Sequence, residues 1–433
     1  MLGRHTVLSV VAACALWSTA CSDQSSGHAE DSIAVGALLP FTGKEAAIGR
    51  NLEQALLLAV SDVNDAGGID GRPLRLVTRD SNSGSERGLE QLLELLYNDQ
   101  VSYLIGPEET DLAKEIVPDI KGLNVLQLLP GYAAPSIEHP GSRGGWVRLA
   151  PSTDAFACAM GKHAIRDGAT TVNALVTVDD YSPTLASDFT SRFGSLGGKS
   201  LPSVTAPVGA PSYARQVEQV LRYGADLTLL MAPPESAATI TTEWTIGGRR
   251  GAWYLSPLLR ADAFLENIPF GTLNGARGLS PSSSLARECA PSETEQLNCS
   301  HANARAFAEH FAEHWQGDLP FAAASYYYDA MVLLALGLTK GVSDAGTLPG
   351  TRALHADIRA LGAVDAHPVR WDDLRGPLAE VRARSAVHYV GAAAEYEFDV
   401  YGAAKHSVFD TWVIDSDGFV DTGTVKAICA SRL

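Results

Sequence analysis

A chain of 433 residues is longer than one hydrophobic core usually supports, so length alone predicts two domains. Hydrophobic residues at 46% and charged residues at 19% match a globular protein in water rather than a disordered or fibrous one. A formal charge of −17 repels phosphate backbones and anionic bilayers, which excludes nucleic acid as a partner.

The first predicted element is an export signal. Met1-Leu-Gly-Arg-His carries one basic residue, an apolar run follows to Leu16, and Ala20 stands directly before Cys21. A basic start, a short apolar core and a small residue before cysteine predict a signal peptide over 1–20 with lipid attachment at Cys21. Ser18 and Thr19 are polar where a lipoprotein cleavage box is usually apolar, and Cys14 offers a rival cleavage point. An ordinary secretory signal is the alternative. The apolar core is shorter than the roughly 20 residues of a spanning helix, so the expected product is lipid-anchored rather than embedded. Residues 21–31 read as a flexible tether. Ser22 is not the aspartate that retains many lipoproteins in the inner membrane, which leaves either membrane open.

From Ser32 the chain alternates short β-rich runs with amphipathic ones. Ile33–Leu39 predicts a strand, and apolar positions Leu52, Ala55, Leu56, Ala59, Val60 and Val63 predict a helix over 47–64. Ala66-Gly-Gly68 ends that helix. A strand at Leu74–Thr78, a helix at Glu86–Asn98, a strand at Val101–Ile105, a helix from Asp111 and a strand at Asn124–Leu129 follow. The pattern restarts with strands at Thr171–Thr177 and Asp226–Met231, helices at Ser182–Phe193 and Tyr213–Tyr223, and an extended run at Ser203–Pro207, continuing through Trp253–Leu255. The expected fold class is α/β, with two doubly wound parallel-sheet lobes and a ligand cleft at the carboxyl ends of the strands.

Cys289 and Cys299 flank the polar segment Ala290–Asn298 and, in an oxidising compartment, predict a disulfide that stabilises by roughly 2–3 kcal/mol. Cys158, within Ala155-Phe-Ala-Cys-Ala-Met160, reads as a buried thiol, and Cys429 has no assigned partner. His310 and His314 lie four apart, but Glu309 and Glu313 beside them favour a solvated helix face over a metal site. The chain contains no Gly-x-Ser-x-Gly elbow and no His-Glu-x-x-His helix. The expectation is a protein that is not an enzyme and needs neither cofactor nor metal.

Several short motifs stand in a common order: Gly36-Ala-Leu-Leu-Pro-Phe-Thr-Gly43, Val63-Asn-Asp-Ala-Gly-Gly-Ile-Asp-Gly71, Arg79-Asp80, Ile105-Gly-Pro107, Leu129-Pro-Gly131, Pro151-Ser-Thr-Asp154, Asp179-Asp-Tyr181 and Ser325-Tyr-Tyr-Tyr-Asp-Ala330. Phe398-Asp399, Trp412 and Gly418 continue the series. In this order they resemble the type 1 periplasmic binding proteins related to the leucine/isoleucine/valine-binding protein. The resemblance implies two lobes joined by three crossings, closing on a small ligand for an ABC-type importer. It implies lobe one at 32–150 plus 279–405 and lobe two at 151–278 plus 406–433, with crossings near Ala150, Leu279 and Lys405. The implied partners are an ABC permease or, alternatively, a sensor protein.

The same resemblance places Thr110 where a hydroxyl holds the ligand carboxylate. Glu108, Glu109 and Asp111 crowd that turn, and like charges about 4 Å apart cost roughly 4 kcal/mol at an effective dielectric near 20. Two readings follow: solvated acids capping a helix, or a site for a neutral or cationic ligand. Ala133 lacks the hydroxyl of its counterpart, Pro233 stands where relatives have tyrosine, and Leu258 stands where a carboxylate pairs with the ligand ammonium. Tyr181 matches a cleft tyrosine, and Tyr132 adds an aromatic for stacking or for packing. The expected binding set is Thr110, Glu109, Tyr132, Ala133, Tyr181, Pro233 and Leu258, without a complete amino-acid clamp.

Overall fold

The computed structural model describes residues 32–427 and 429, apart from 44–45, 110–111, 114, 117–119, 121–122, 132–144, 179–181, 249–250, 261, 282–292, 322, 406–407, 417 and 428. The signal, the tether, Cys21 and Cys289 lie outside the described residues, as does the side chain of Cys299.

Fifteen strands form three sheets among the described residues. The first five are β1 (Ile33–Leu39), β2 (Leu74–Asp80), β3 (Tyr103–Ile105), β4 (Leu126–Leu129) and β5 (Trp146–Arg148), all parallel in the order β2-β1-β3-β4-β5. The near-continuous apolar run of β1 suits a strand covered on both faces, and six of its seven residues are buried. On one side lies the helix Ala46–Asp65, with Leu52, Ala55, Leu56, Ala59 and Val63 all buried, packed on a long buried helix, Ala324–Ala345. The first of these helices stops at Gly68, whose φ of 61° lies in the left-handed region and lets its N–H reach the Val63 carbonyl at 3.0 Å. Asn64 then aligns β2, giving Nδ2 to the Leu74 carbonyl at 2.9 Å and accepting the Leu74 N–H at 2.7 Å.

The second sheet holds β6 (Thr171–Thr177), β7 (Lys199–Ser200), β8 (Val204–Ala206), β9 (Leu227–Met231), β10 (Ala252–Leu255) and β11 (Arg277–Pro281). A small parallel pair, β12 (His367–Arg370) and β13 (Val387–Val390), flanks the first core. The hairpin β14 (Val408–Asp415) and β15 (Gly418–Lys426) then completes the second sheet in the order β15-β14-β11-β10-β9-β6-β7, with β8 on β6. This sheet is mixed rather than wholly parallel, because β14 returns antiparallel to β11 and its two-strand hairpin demands an antiparallel partner. Leu279, the expected crossing, pairs with Thr411 inside this sheet, and β11 runs on to Pro281.

The chain passes from sheet to sheet after β5, after β11 and before β14. A cavity of about 230 Å³ lies beside the passages after β5 and before β14, lined by Arg148, Asp154, Asp399, Lys405, Cys158 and Cys429. Cys158 is not a thiol. It is bonded to Cys429, across a sequence separation of 271. Cys158 sits on the buried face of the helix Thr153–Arg166, and β15 delivers the segment after Lys426 against that helix.

Two interior features anchor the lobes. In the first, Asp329 is fully buried and accepts from Tyr389 Oη, Ala392 N and Ala393 N at 2.8 Å each and from Tyr396 Oη at 2.9 Å. In the second, Trp412 is fully buried and lies flat against Gly278, where a Cβ would stand 2.3 Å from Cζ2 of the indole. Gly278→Ala is therefore expected to destabilise by about 1–3 kcal/mol, because the ring is also held by its Nε1–H on Ser280 Oγ at 3.2 Å. An unchanged urea midpoint would show that the ring gives way freely.

Candidate functional site at the carboxyl ends of the strands

β1 and β2 end side by side, and Asp80 joins the loops that follow them. Its carboxylate accepts from Phe41 N at 2.9 Å, Thr42 N at 3.1 Å, Thr42 Oγ1 at 2.6 Å and Asn82 N at 2.8 Å. Burial raises its pKa, but the donors of Thr42, Asn82 and Phe41 together outweigh it and hold the group below the usual carboxylate range. Asn82 and Ser83 both take left-handed backbone, with φ of 54° and 50°, at a cost on the order of 1 kcal/mol each. Thr42 offsets that strain: its hydroxyl, whose one proton goes to Asp80, stands 2.7 Å from the Asn82 side-chain amide, and its carbonyl accepts Ser83 Oγ at 2.8 Å. The turn so held buries Ser81 completely, and the Ser81 hydroxyl donates to Oε1 of Glu109.

Glu109 arrives from the end of β3. Gly106 has a φ of 91°, and a Cβ there would meet the Leu38 carbonyl at 2.8 Å, so only glycine fits. Its N–H reaches the Leu128 carbonyl at 2.9 Å, and its own carbonyl accepts Nε2 of the fully buried Gln127 at 2.9 Å. The Gly106–Pro107 peptide is cis. Glu108 Oε2 then accepts from the hydroxyl of Tyr327, itself fully buried, at 3.0 Å. Gly131, after β4, leaves room for that carboxylate: a Cβ would stand 2.6 Å from Glu108 Oε2. The Glu109 carbonyl accepts Ala113 N at 2.9 Å and opens the following helical turn.

Of the expected set, Glu109 therefore lies on the carboxyl edge of the first sheet. Pro233 directly follows Ala232 at the end of β9 and precedes the helix Pro234–Ile246, half-buried. Leu258 lies in the short 3₁₀ turn Pro257–Leu259 after β10, where its backbone alone is described. Thr110, Tyr132, Ala133 and Tyr181 lie outside the described residues. The sequence reading missed Ser81 and Tyr327. Ser81 directly follows the end of β2, three positions beyond the strand end that the sequence marks at Thr78, whereas Tyr327 stands more than two hundred positions from the acid it holds. His310, one of the paired histidines, donates its Nε2–H to Asp62 Oδ2 at 2.8 Å, and that contact raises its pKa against the effect of burial.

The family model for periplasmic binding proteins matches residues 32–388. The chain belongs to the periplasmic binding protein family. Its fold is shared by the leucine binding protein LivK of Thermotoga maritima, with a TM-score of 0.69 and 18% identity over 91% of this chain and 98% of that one. A solute-binding protein of an ABC transporter from R. palustris, solved in complex with benzoate, gives a TM-score of 0.69 and 16% identity over 92% and 96%. Among curated proteins, the chemotactic signal transduction substrate-binding protein BasB of Halobacterium salinarum is 24% identical over 219 residues. The chain spans about half the length of the curated relatives it matches, 52% for BasB and 54% for an amino acid binding protein of Pseudomonas aeruginosa. This periplasmic binding protein shares the fold of those solved structures. Among the described residues no helix is long and apolar enough to cross a membrane.

Proposed function

We propose that this periplasmic binding protein is held at the envelope by lipid on Cys21, encloses a small amino-acid-like, amide or aromatic ligand between its lobes, and presents it to an ABC-type permease. The observation that carries the reading is the built edge of the first sheet, where Asp80, Ser81, Glu108 and Glu109 are fixed by a mutually bonded set of loops. We assign lobe one to 32–150 with 293–405, and lobe two to 151–281 with 406–433. A ligand touching both lobes stabilises the closed form, whereas one held by a single lobe does not. The protein is taken to bind without turnover.

The second reading is a ligand sensor that hands its closed form to a signalling partner. It is favoured by the likeness to BasB, a substrate-binding protein of a chemotactic system.

A thermal-shift screen over amino acids, amides, polyamines, aromatic acids and sugars tests the trap, since a ligand at about 100 times its Kd adds roughly 2.7 kcal/mol to the folded state. Selective stabilisation is expected. Thr110→Ala and Tyr181→Ala should each weaken the binding so found without lowering the unliganded Tm, and unchanged affinity in both would sink this placement of the site. Leucine, isoleucine and valine should bind weakly.

A further inference from the structure

We propose that one turn of a lobe-one helix, His355 with Arg359, sets the angle at which lobe two leaves lobe one. Both are positioning residues that act on the hinge. The proposal rests on the lobe assignment above and names the part of the chain that fixes the geometry between the lobes.

The chain just before β14 is not a loose linker. Residues 397–405 close into a small hairpin: Phe398 pairs antiparallel with Ala404, the Lys405 N–H reaches the Glu397 carbonyl at 2.7 Å, and Asp399 Oδ1 accepts from Tyr401 N at 2.8 Å and Ala403 N at 3.0 Å. This hairpin is also laid along the last residue of β5. The Gly402 carbonyl accepts Arg148 N at 2.9 Å, and the Arg148 carbonyl accepts Ala404 N at 2.8 Å, which makes a parallel bridge of Arg148 with Ala403. Trp146 and Ala403 share a small apolar core with Ala113 and Leu129, so the hairpin belongs to lobe one. The passages after β5 and before β14 therefore leave lobe one side by side, from one stiff ribbon. Bending at these two passages is left to the residues beyond Leu149, whose N–H still reaches the Leu129 carbonyl at 2.9 Å, and beyond Lys405.

The helix Thr351–Ala360 grips the tip of that ribbon. His355 is 5% exposed, with Nε2 3.1 Å from the Tyr401 carbonyl; a carbonyl only accepts, so the ring donates there. Four residues on, on the same face of the helix, Arg359 Nε donates to the Asp399 carbonyl at 2.7 Å. Gly402, between them in the tip, has a φ of 98°, and a Cβ there would stand 2.5 Å from His355 Nε2 and 2.7 Å from the Trp146 carbonyl oxygen. Imidazole, tip and β5 are thus in contact without slack. Interiors packed this closely pass a displacement on instead of absorbing it, so a shift of the helix turn becomes a shift in the direction of the ribbon.

The test measures interlobe distance in the full chain without ligand, by pulsed electron paramagnetic resonance. Spin labels are carried on unnatural residues at Tyr97 of lobe one and Ile246 of lobe two, 64% and 80% exposed, which leaves the native cysteines untouched. His355→Phe keeps a ring and removes the donor, and should move the mean distance by several ångströms. Arg359→Met should move it in smaller measure. His355→Gln returns an N–H donor and should restore the wild-type distance. Gly402→Ala should give the largest shift, because its Cβ drives the tip off the imidazole. Circular dichroism and Tm establish which variants fold; if Gly402→Ala does not, the two helix variants decide alone.

Wild-type distances in every folded variant would overturn the proposal. A lowered Tm with unmoved distances would do the same, since it makes the helix a support and nothing more. A shift in His355→Phe that His355→Gln fails to restore would overturn the role given to this hydrogen bond. No ligand enters the measurement, so failure here leaves the ligand trap standing, and a ligand screen without a hit leaves these distances standing.

Discussion

Asp329→Ala is expected to lower the unfolding free energy by about 4 kcal/mol, the largest loss from any single substitution considered. The change removes one acceptor group and strands four buried donors: the hydroxyls of Tyr389 and Tyr396 and the N–H groups of Ala392 and Ala393. Each stranded donor costs on the order of 1–3 kcal/mol, partly recovered if water enters the vacated space. Gly391 is packed so closely that a Cβ would stand 2.3 Å from Asp329 Oδ2, so the 389–396 segment is moulded around this carboxylate. Asp329→Asn should cost about half as much. It keeps one acceptor but turns an NH₂ toward the Ala393 N–H, which can only donate. Urea denaturation followed by circular dichroism reads both losses, and a variant as stable as wild type would show that the carboxylate holds nothing together.

The same group predicts a pH dependence. Burial pushes the Asp329 carboxyl up to about 6 from its usual 3.8, against the pull of Ala393, Tyr389, Ala392 and Tyr396 on the ionised form. A folded-state value above the unfolded one means that the folded protein holds the proton more tightly. The corresponding stability is complete below the unfolded value near 3.8 and is lost as pH rises through about 6. The difference between the two values corresponds to roughly 3 kcal/mol. Wild type should lose stability relative to Asp329→Asn across that window, and parallel profiles would refute it.

The paired replacement Cys158→Ser with Cys429→Ser is expected to cost about 2–5 kcal/mol, since removal of a native disulfide commonly costs that much and the bridge closes a separation of 271 residues. The bond ties the segment after β15 to the helix Thr153–Arg166, so the loss should fall on lobe two. Two unfolding transitions are expected, with the lobe-two step moved to lower urea and the lobe-one step unmoved. Identical curves with and without the bridge would mean that packing of Phe156, Met160 and Val425 already suffices.

Much of the fold was legible because its signals are local. The apolar spacing of Leu52, Ala55, Leu56, Ala59, Val60 and Val63 marks a buried helical face whatever lies around it, and the structure buries all of them but Val60, which is half-buried. The alternation of such stretches with strand-like runs implied doubly wound lobes, and the periplasmic binding protein fold followed from the order of weak motifs. What escaped was long-range. Cys158 sits in an apolar run that reads as an inert interior thiol, and nothing near it announces Cys429. The antiparallel return of β14 onto β11 likewise joins segments more than a hundred residues apart. At the site, Glu108 and Glu109 read equally well as solvated caps, because Ser81 and Tyr327, which draw them onto the sheet edge, come from other loops and helices.

The position of Cys429 also determines where motion of the lobes becomes visible. Cys429 and Ala427 line the cavity beside the passages after β5 and before β14, so under the proposed closure a fluorophore carried at Ala427 would ride near the pivot and hardly move. The far end of β14 is a better station. There Gly275 N meets the Ile414 carbonyl at 2.8 Å, and eight residues of extended strand, about 25 Å, separate that end from the pivot. Phe270, 85% exposed and a few positions before Gly275, is the site for a label whose distance to lobe one would report the lever swing of the whole lobe.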